Sequence, residues 1–239
     1  MTPVIDAAVK RPWLPYVAPM AAYMAFLFAQ SDKNLAWLYP VKVTVVAGLL
    51  WFYRKQYDEL RPGFSVLAVA VGLVAIAVWI FGDAFYPKLD WLMLKLNNLL
   101  SRLLGDKPGP DVPTTTVFDP FSLGAPVKAW SFVGFRIFGA VVVVPLMEEL
   151  FWRAFVIRWL VKEDFKAVPV GTFTWFSFAA TVFMFGVEHN EWAAGLVCGA
   201  LYNWLYYRSK SVFACVVAHA TSNAALAAWV LWRGDWKFW

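Results

Sequence analysis

Seven continuous apolar runs divide this chain: Trp13–Gln30, Leu35–Tyr53, Phe64–Phe81, Val127–Met147, Val168–Val187, Trp192–Tyr207 and Ser211–Trp232. Each approaches the roughly 20 residues that a helix needs to cross a hydrocarbon core. Inside lipid no water is present to bond backbone N–H and C=O groups, so a spanning segment must satisfy them within itself, as a helix does. The runs do not alternate in polarity, which argues against membrane strands. The chain is therefore expected to be all-α, a polytopic transmembrane helical bundle of seven or eight spans enclosing an intramembrane cavity. No internal repeat or second domain is visible, so residues 1–239 are read as a single integral membrane domain.

The charge content agrees. Of 239 residues, 61% are hydrophobic and only 15% are charged, too few to solvate a water-soluble domain of this length. The net charge of +5 is spread between the runs and forms no concentrated basic patch, so nucleic acid is not an expected partner; membrane lipids are. Lys10 and Arg11 precede the first run, Arg54, Lys55 and Arg61 follow the second, Arg158, Lys162 and Lys166 follow the fourth, and Arg208 and Lys210 follow the sixth. Placing all four groups on the cytoplasmic side alternates correctly for seven spans, with the amino terminus inside, as in a bacterial inner (cell) membrane. The first run is expected to be a retained signal-anchor, because Leu27 stands where a cleavage site ending at Ala29 would want a small residue. Trp91–Leu104 carries Lys95, Asn97, Asn98 and Arg102, is short for a span, and is expected in the interface, whereas the proline-rich stretch Gly105–Pro126, with Thr114-Thr115-Thr116, reads as a loop or a cover for the bundle. Cys198 and Cys215 lie in apolar runs and read as small core residues.

Polar groups inside those runs are where chemistry is to be sought, since ionisable side chains at bilayer depth are costly and persist mainly where they pair or react. The first group is Glu148-Glu149 with Arg153. On a helix Glu149 and Arg153 are four apart with the acid nearer the amino end, the favourable order for an ion pair, and Glu148 projects about 100° away without that partner. A carboxylate shut away from water holds its proton more tightly, which suits general acid–base work on a water molecule. The second group is Phe185 and His189, on one helix face, where the ring can exclude water beside an imidazole. The third is His219 and Asn223, one turn apart, a pair that could aim two donors at an oxyanion or simply bond across helices. The two histidines named here are the only two in the chain. A proton-coupled transporter could use the same buried groups, and a non-catalytic membrane scaffold or immunity-type protein could keep them as interhelical bonds.

The three patterns E-E-x-x-x-R, F-x-x-x-H and H-x-x-x-N, in this order on successive apolar runs, resemble the CAAX protease and bacteriocin-processing family of intramembrane endopeptidases, which includes the Ras-converting CAAX endopeptidase. The overall character is also similar to the CAAX-protease-related subgroup that accompanies bacterial exosortase systems. The resemblance covers about residues 129–229. It implies that Glu148 with His189 activates water for attack on a peptide carbonyl, that His219 and Asn223 stabilise the oxyanion, and that Glu149, Arg153 and Phe185 give structural support. It further implies a peptide or protein substrate, cut near its carboxyl terminus, with lipidation there as one option. A glutamic type without cofactor is favoured over a metallo type, because H-E-x-x-H is absent and Asn is a poor zinc ligand; a zinc enzyme would use Glu148, His189 and His219. Ala154 stands where many relatives carry Gly. By position in its run His189 should lie near a membrane surface, out of level with Glu148 and His219.

Overall fold

A computed structural model describes residues 11–31, 33–63, 65–107, 109 and 117–239. The expectations for Lys10, Phe64 and the Thr114-Thr115-Thr116 run fall outside the described residues. Among those described, eight helices and no strand are present: α1 Leu14–Ala29, α2 Leu35–Tyr53, α3 Val66–Gly82, α4 Leu89–Leu104, α5 Pro126–Trp159, α6 Trp175–Val187, α7 Trp192–Ser209 and α8 Val212–Arg233. Leu35–Gln56, Val66–Leu104, Pro126–Trp159 and Val212–Arg233 are long and apolar enough to cross a membrane, and Leu14–Ala29 and Trp175–Val187 are shorter apolar helices. The protein is an integral membrane helical bundle.

Helix α5 is the axis. It packs against α1, α2 and α8, while α8 also packs on α3 and α7, and α7 lies along α6. Where α3 crosses α8, Gly72 brings the backbones together: a Cβ there would lie 2.3 Å from the Ala218 carbonyl oxygen. Side chains start three helices where the sequence changes from turn to apolar run. Ser65 Oγ accepts from the Ala68 N–H, Thr174 Oγ1 from Ser177, and Ser211 Oγ from Ala214, each satisfying a donor that the first helical turn leaves open. Both cysteines are buried and unbridged, as expected.

Two differences from the sequence reading concern the site. The fifth run is helical only from Trp175, because Pro169 and the left-handed Gly171 at φ 84° turn the preceding chain and Thr174 caps afresh. The second is the winding of α5, which continues past Met147 to Trp159 and carries two π-helical segments, Gly139–Val143 and Leu150–Val156, on either side of Glu148 and Glu149. Helix α4 is amphipathic, with Met93, Leu96, Leu99, Leu100 and Leu103 exposed and Asn98 buried. Of the expected cover, the described part docks beside α5, where Phe121 meets Trp130 and Trp236.

The ends of the bundle sort by charge. Glu59, between α2 and α3, pairs with Arg158 at the end of α5 and with Lys166 beyond it, and accepts from Tyr16 Oη of α1 at 2.7 Å. Arg158 also donates to the Ala154 and Val168 carbonyls, and Lys166 reaches Tyr16 Oη and the Gln56 carbonyl. Arg61 and Lys210 lie at the same cavity, so three of the four loops and ends expected to be basic meet at one end. At the other end Asn190 accepts from Leu89 and Asp90, and Lys88 and Lys237 pair with Asp83.

Candidate active site

Three of the sequence-selected groups come from α5, the end of α6, and α8, and they share one cavity of about 190 Å³ lined by Glu148, His189, His219 and Asn223. Tyr202 and Ser222 complete its polar side, and Tyr23, Trp79, Val144, Phe185 and Leu226 are among its other walls. Glu148 is only 5% exposed, and its Oε2 has no hydrogen-bond partner among the described residues. An unpaired buried carboxylate oxygen beside open space is costly unless water or a substrate group completes it.

The expected difference in depth does not keep the three groups apart: His189 shares the cavity with Glu148 and His219, while the next residue, Asn190, makes the end-of-bundle bonds to Leu89 and Asp90. Helix α6 has 13 residues, rises about 20 Å and ends at Val187. His189 follows that end. Its Nδ1 lies 2.8 Å from the Phe185 carbonyl oxygen, one turn back, which engages that nitrogen and leaves Nε2. Phe185 packs on the imidazole at 5.0 Å between ring centroids, and Trp79 meets it edge-on at 5.3 Å.

Glu149 is fully buried and does more than support its own helix. Its Oε1 accepts from Arg153 Nη1 at 3.1 Å, the expected ion pair, and lies 2.9 Å from His219 Nδ1 on α8. Arg153 in turn donates to Asn203 Oδ1 at 3.2 Å and lies over the rings of Phe185 and Tyr202, so one guanidinium joins α5, α6 and α7. Tyr202 stacks on the His219 ring at 5.3 Å and shares a 2.7 Å hydrogen bond with Ser222, which donates to the His219 carbonyl. The imidazole is held on its edge and its face, and Nε2 is its remaining nitrogen.

Asn223 owes its position to Pro145. In the π-helical segment the Val144 N–H bonds to the Gly139 carbonyl, five residues back, so the next donor, for Ala140, would be residue 145. Proline has no N–H. Asn223 Nδ2 fills the gap, donating to the Ala140 carbonyl at 2.7 Å, and a side-chain amide keeps a second N–H. His219 and Asn223 thus both line the cavity, each with one polar function committed elsewhere.

Motif reading misses Tyr202, Ser222 and Asn203, which are single residues in apolar runs, and it assigns no role to Glu188. Glu188 Oε2 accepts from Trp152 Nε1 at 3.1 Å, tying the end of α6 to α5. The proline-rich stretch contributes nothing to the cavity lining among the described residues. A zinc ion would need Glu148, His189 and His219 to converge to about 2.0–2.2 Å of one point. Among the described residues no three His, Cys, Asp or Glu side chains are grouped to hold one ion.

Residues 130–225 match the family model described as type II CAAX prenyl endopeptidase Rce1-like, inside the segment that the three motifs mark. No curated protein and no solved structure matches the chain. Over residues 130–225 the chain is thus similar to the CAAX protease family of intramembrane endopeptidases.

Proposed function

We propose that the chain is an intramembrane endopeptidase of the glutamic type. The observation that carries this reading is the shared cavity of Glu148, His189, His219 and Asn223, with the Glu148 Oε2 left unpartnered beside it. Glu148, as carboxylate, takes a proton from a water that His189 orients. The water oxygen bonds to the scissile carbonyl carbon, and the former carbonyl oxygen becomes an oxyanion. His219 donates to it from Nε2, its charge offset by Glu149, and Asn223 donates from its second amide hydrogen. The C–N bond then breaks as Glu148 returns the proton to the leaving amine. Glu149 and Arg153 position His219, and Phe185 positions His189.

The substrate is a peptide or protein segment that enters from the membrane, with a lipidated carboxyl-terminal region as one class to test. The amino terminus is assigned to the cytoplasm, a reading supported by the gathering of Arg61, Arg158, Lys166 and Lys210 at one end of the bundle. The direct test is cleavage of fluorogenic peptides by the purified full chain, with metal content measured in parallel. Turnover that survives chelation and disappears in Glu148→Gln is expected. Stoichiometric zinc that is lost in His219→Ala, with activity lost on chelation, would overturn the glutamic assignment.

A further inference from the structure

A second intramembrane charge cluster takes no part in this mechanism. Lys42 of α2 is 1% exposed, and its Nζ has one polar partner, the neutral amide oxygen of Gln30 at 3.0 Å. Aromatic rings supply the rest of its surroundings: Nζ is 4.4 Å from the Tyr23 centroid and 4.8 Å from that of Tyr39. Arg136 of α5 lies 4.7 Å over the same Tyr39 ring and 5.9 Å over Trp239. Two cations therefore share one ring, and among the described residues neither forms an ion pair with a carboxylate. Lys42 is shut away from water and Arg136 is half-buried beside it; like charges so placed are costly, and an ionisable group at membrane depth without a counter-charge points to a charged ligand. Tyr23 places the cluster. The ring that faces Lys42 also lines the cavity of Glu148 and His189.

We propose that Lys42 and Arg136 form a subsite for a carboxylate of the peptide substrate, with the Gln30 amide oxygen occupying its place when no substrate is bound. This rests on the endopeptidase reading and extends it to specificity. Arg136 precedes Glu148 by three turns of α5, and Tyr39 abuts Gly139, so the cations stand about 14–18 Å along the helix from the proposed base. An extended peptide covers that distance in about four to five residues. The anion is thus either the α-carboxylate of a chain end or an Asp or Glu side chain at that remove from the scissile bond. The aromatic walls dehydrate it, and the Arg136 fork suits a planar carboxylate.

The test uses the full chain in vesicles and a set of fluorogenic peptides with randomised central residues. Each is made with a free carboxyl end, with a carboxamide end, and with a carboxamide end preceded by Glu. Wild-type protein is expected to favour the free acid over the carboxamide by about tenfold or more, chiefly in KM, as a charged hydrogen bond implies. In Lys42→Gln and in Arg136→Gln that ratio falls toward one, and Arg136→Lys, which keeps the charge, retains part of it. If the terminal Glu restores cleavage of the carboxamide, the subsite accepts any carboxylate; if it does not, the subsite is specific for the α-carboxylate. Equal cleavage of acid and carboxamide by wild type, or an unchanged ratio in both Gln variants, would overturn the inference while leaving the protease reading intact. Failure of wild type to cut any of the peptides would instead remove both.

Discussion

At the scale of single residues, Glu148 and Glu149 are neighbours in sequence with opposite relations to their surroundings. Glu149 is bonded through Oε1 to Arg153 and His219; each acid keeps an Oε2 without a partner among the described residues, but only Glu148 lines the cavity. Glu148→Gln is therefore expected to lower turnover by about 100- to 10,000-fold, the range of a general base, with an unchanged melting temperature. Wild-type turnover in that variant would exclude the role. Glu149→Ala leaves a buried guanidinium unpaired at a cost of about 3–5 kcal/mol, so it should lower the melting temperature as well as activity. A melting temperature equal to wild type would show that the pair is solvated. Asn223→Ala should reduce kcat by about 100- to 1,000-fold with little change in KM, because its bond strengthens only as charge develops on the oxygen. The Glu149–Arg153 pair is legible in the sequence because helical spacing alone brings it about. The link from Glu149 to His219 is not, since it joins residues 70 apart and depends on how α8 packs on α5.

At the scale of elements, the apolar runs identify the helices well, and their ends less well. Hydrophobicity marks what can be buried, but turn residues decide where a helix begins, and so the run from Val168 yields a helix only from Thr174 onward. The turn that ends α6 brings His189 to the cavity of Glu148, a consequence that hydropathy cannot express. Close helix contact is equally hidden: Gly72 reads as an ordinary residue of an apolar run, yet it sits against the Ala218 carbonyl, next to His219. Gly72→Val should force α3 away from α8, reducing both thermal stability and turnover. A variant with wild-type melting and activity would show that α8 can move aside without disturbing His219.

At the scale of the whole molecule, the Glu59 cluster ties α1, the α2–α3 connection and the end of α5 together outside the spans. Burial raises the proton affinity of the Glu59 carboxyl, but hydrogen bonds from Arg158 and Tyr16 and the Lys166 charge outweigh it and hold its pKa below the ordinary value of 4.5. A depressed carboxyl contributes stability above its unfolded pKa, and that contribution is lost as pH falls through the folded value. Melting measured at successive pH values should therefore decline below about pH 4.5, and Glu59→Gln should be less stable at neutral pH and flatter in acid. A wild-type acid profile in Glu59→Gln would show that the cluster contributes no such linkage. The charge count of each loop is visible in the sequence; their meeting around one buried acid is not, because it is made by chain reversal across the bundle.

The π-helical segment at Gly139–Val143 separates Arg136 from Glu148. Such a segment holds one residue more than an α-helical path would require, so it works as an indel stored in the backbone. Deleting one residue between them, Val141 for instance, would let α5 relax to ordinary winding while the turns on either side, Glu148 among them, kept their facing. Val144 would still bond to Gly139, Pro145 would still offer Ala140 no donor, and the bond from Asn223 could be kept. Inserting a residue, by contrast, would turn everything beyond it by about 100°, so among descendants of such a sequence single-residue losses in this segment should be tolerated and gains selected against.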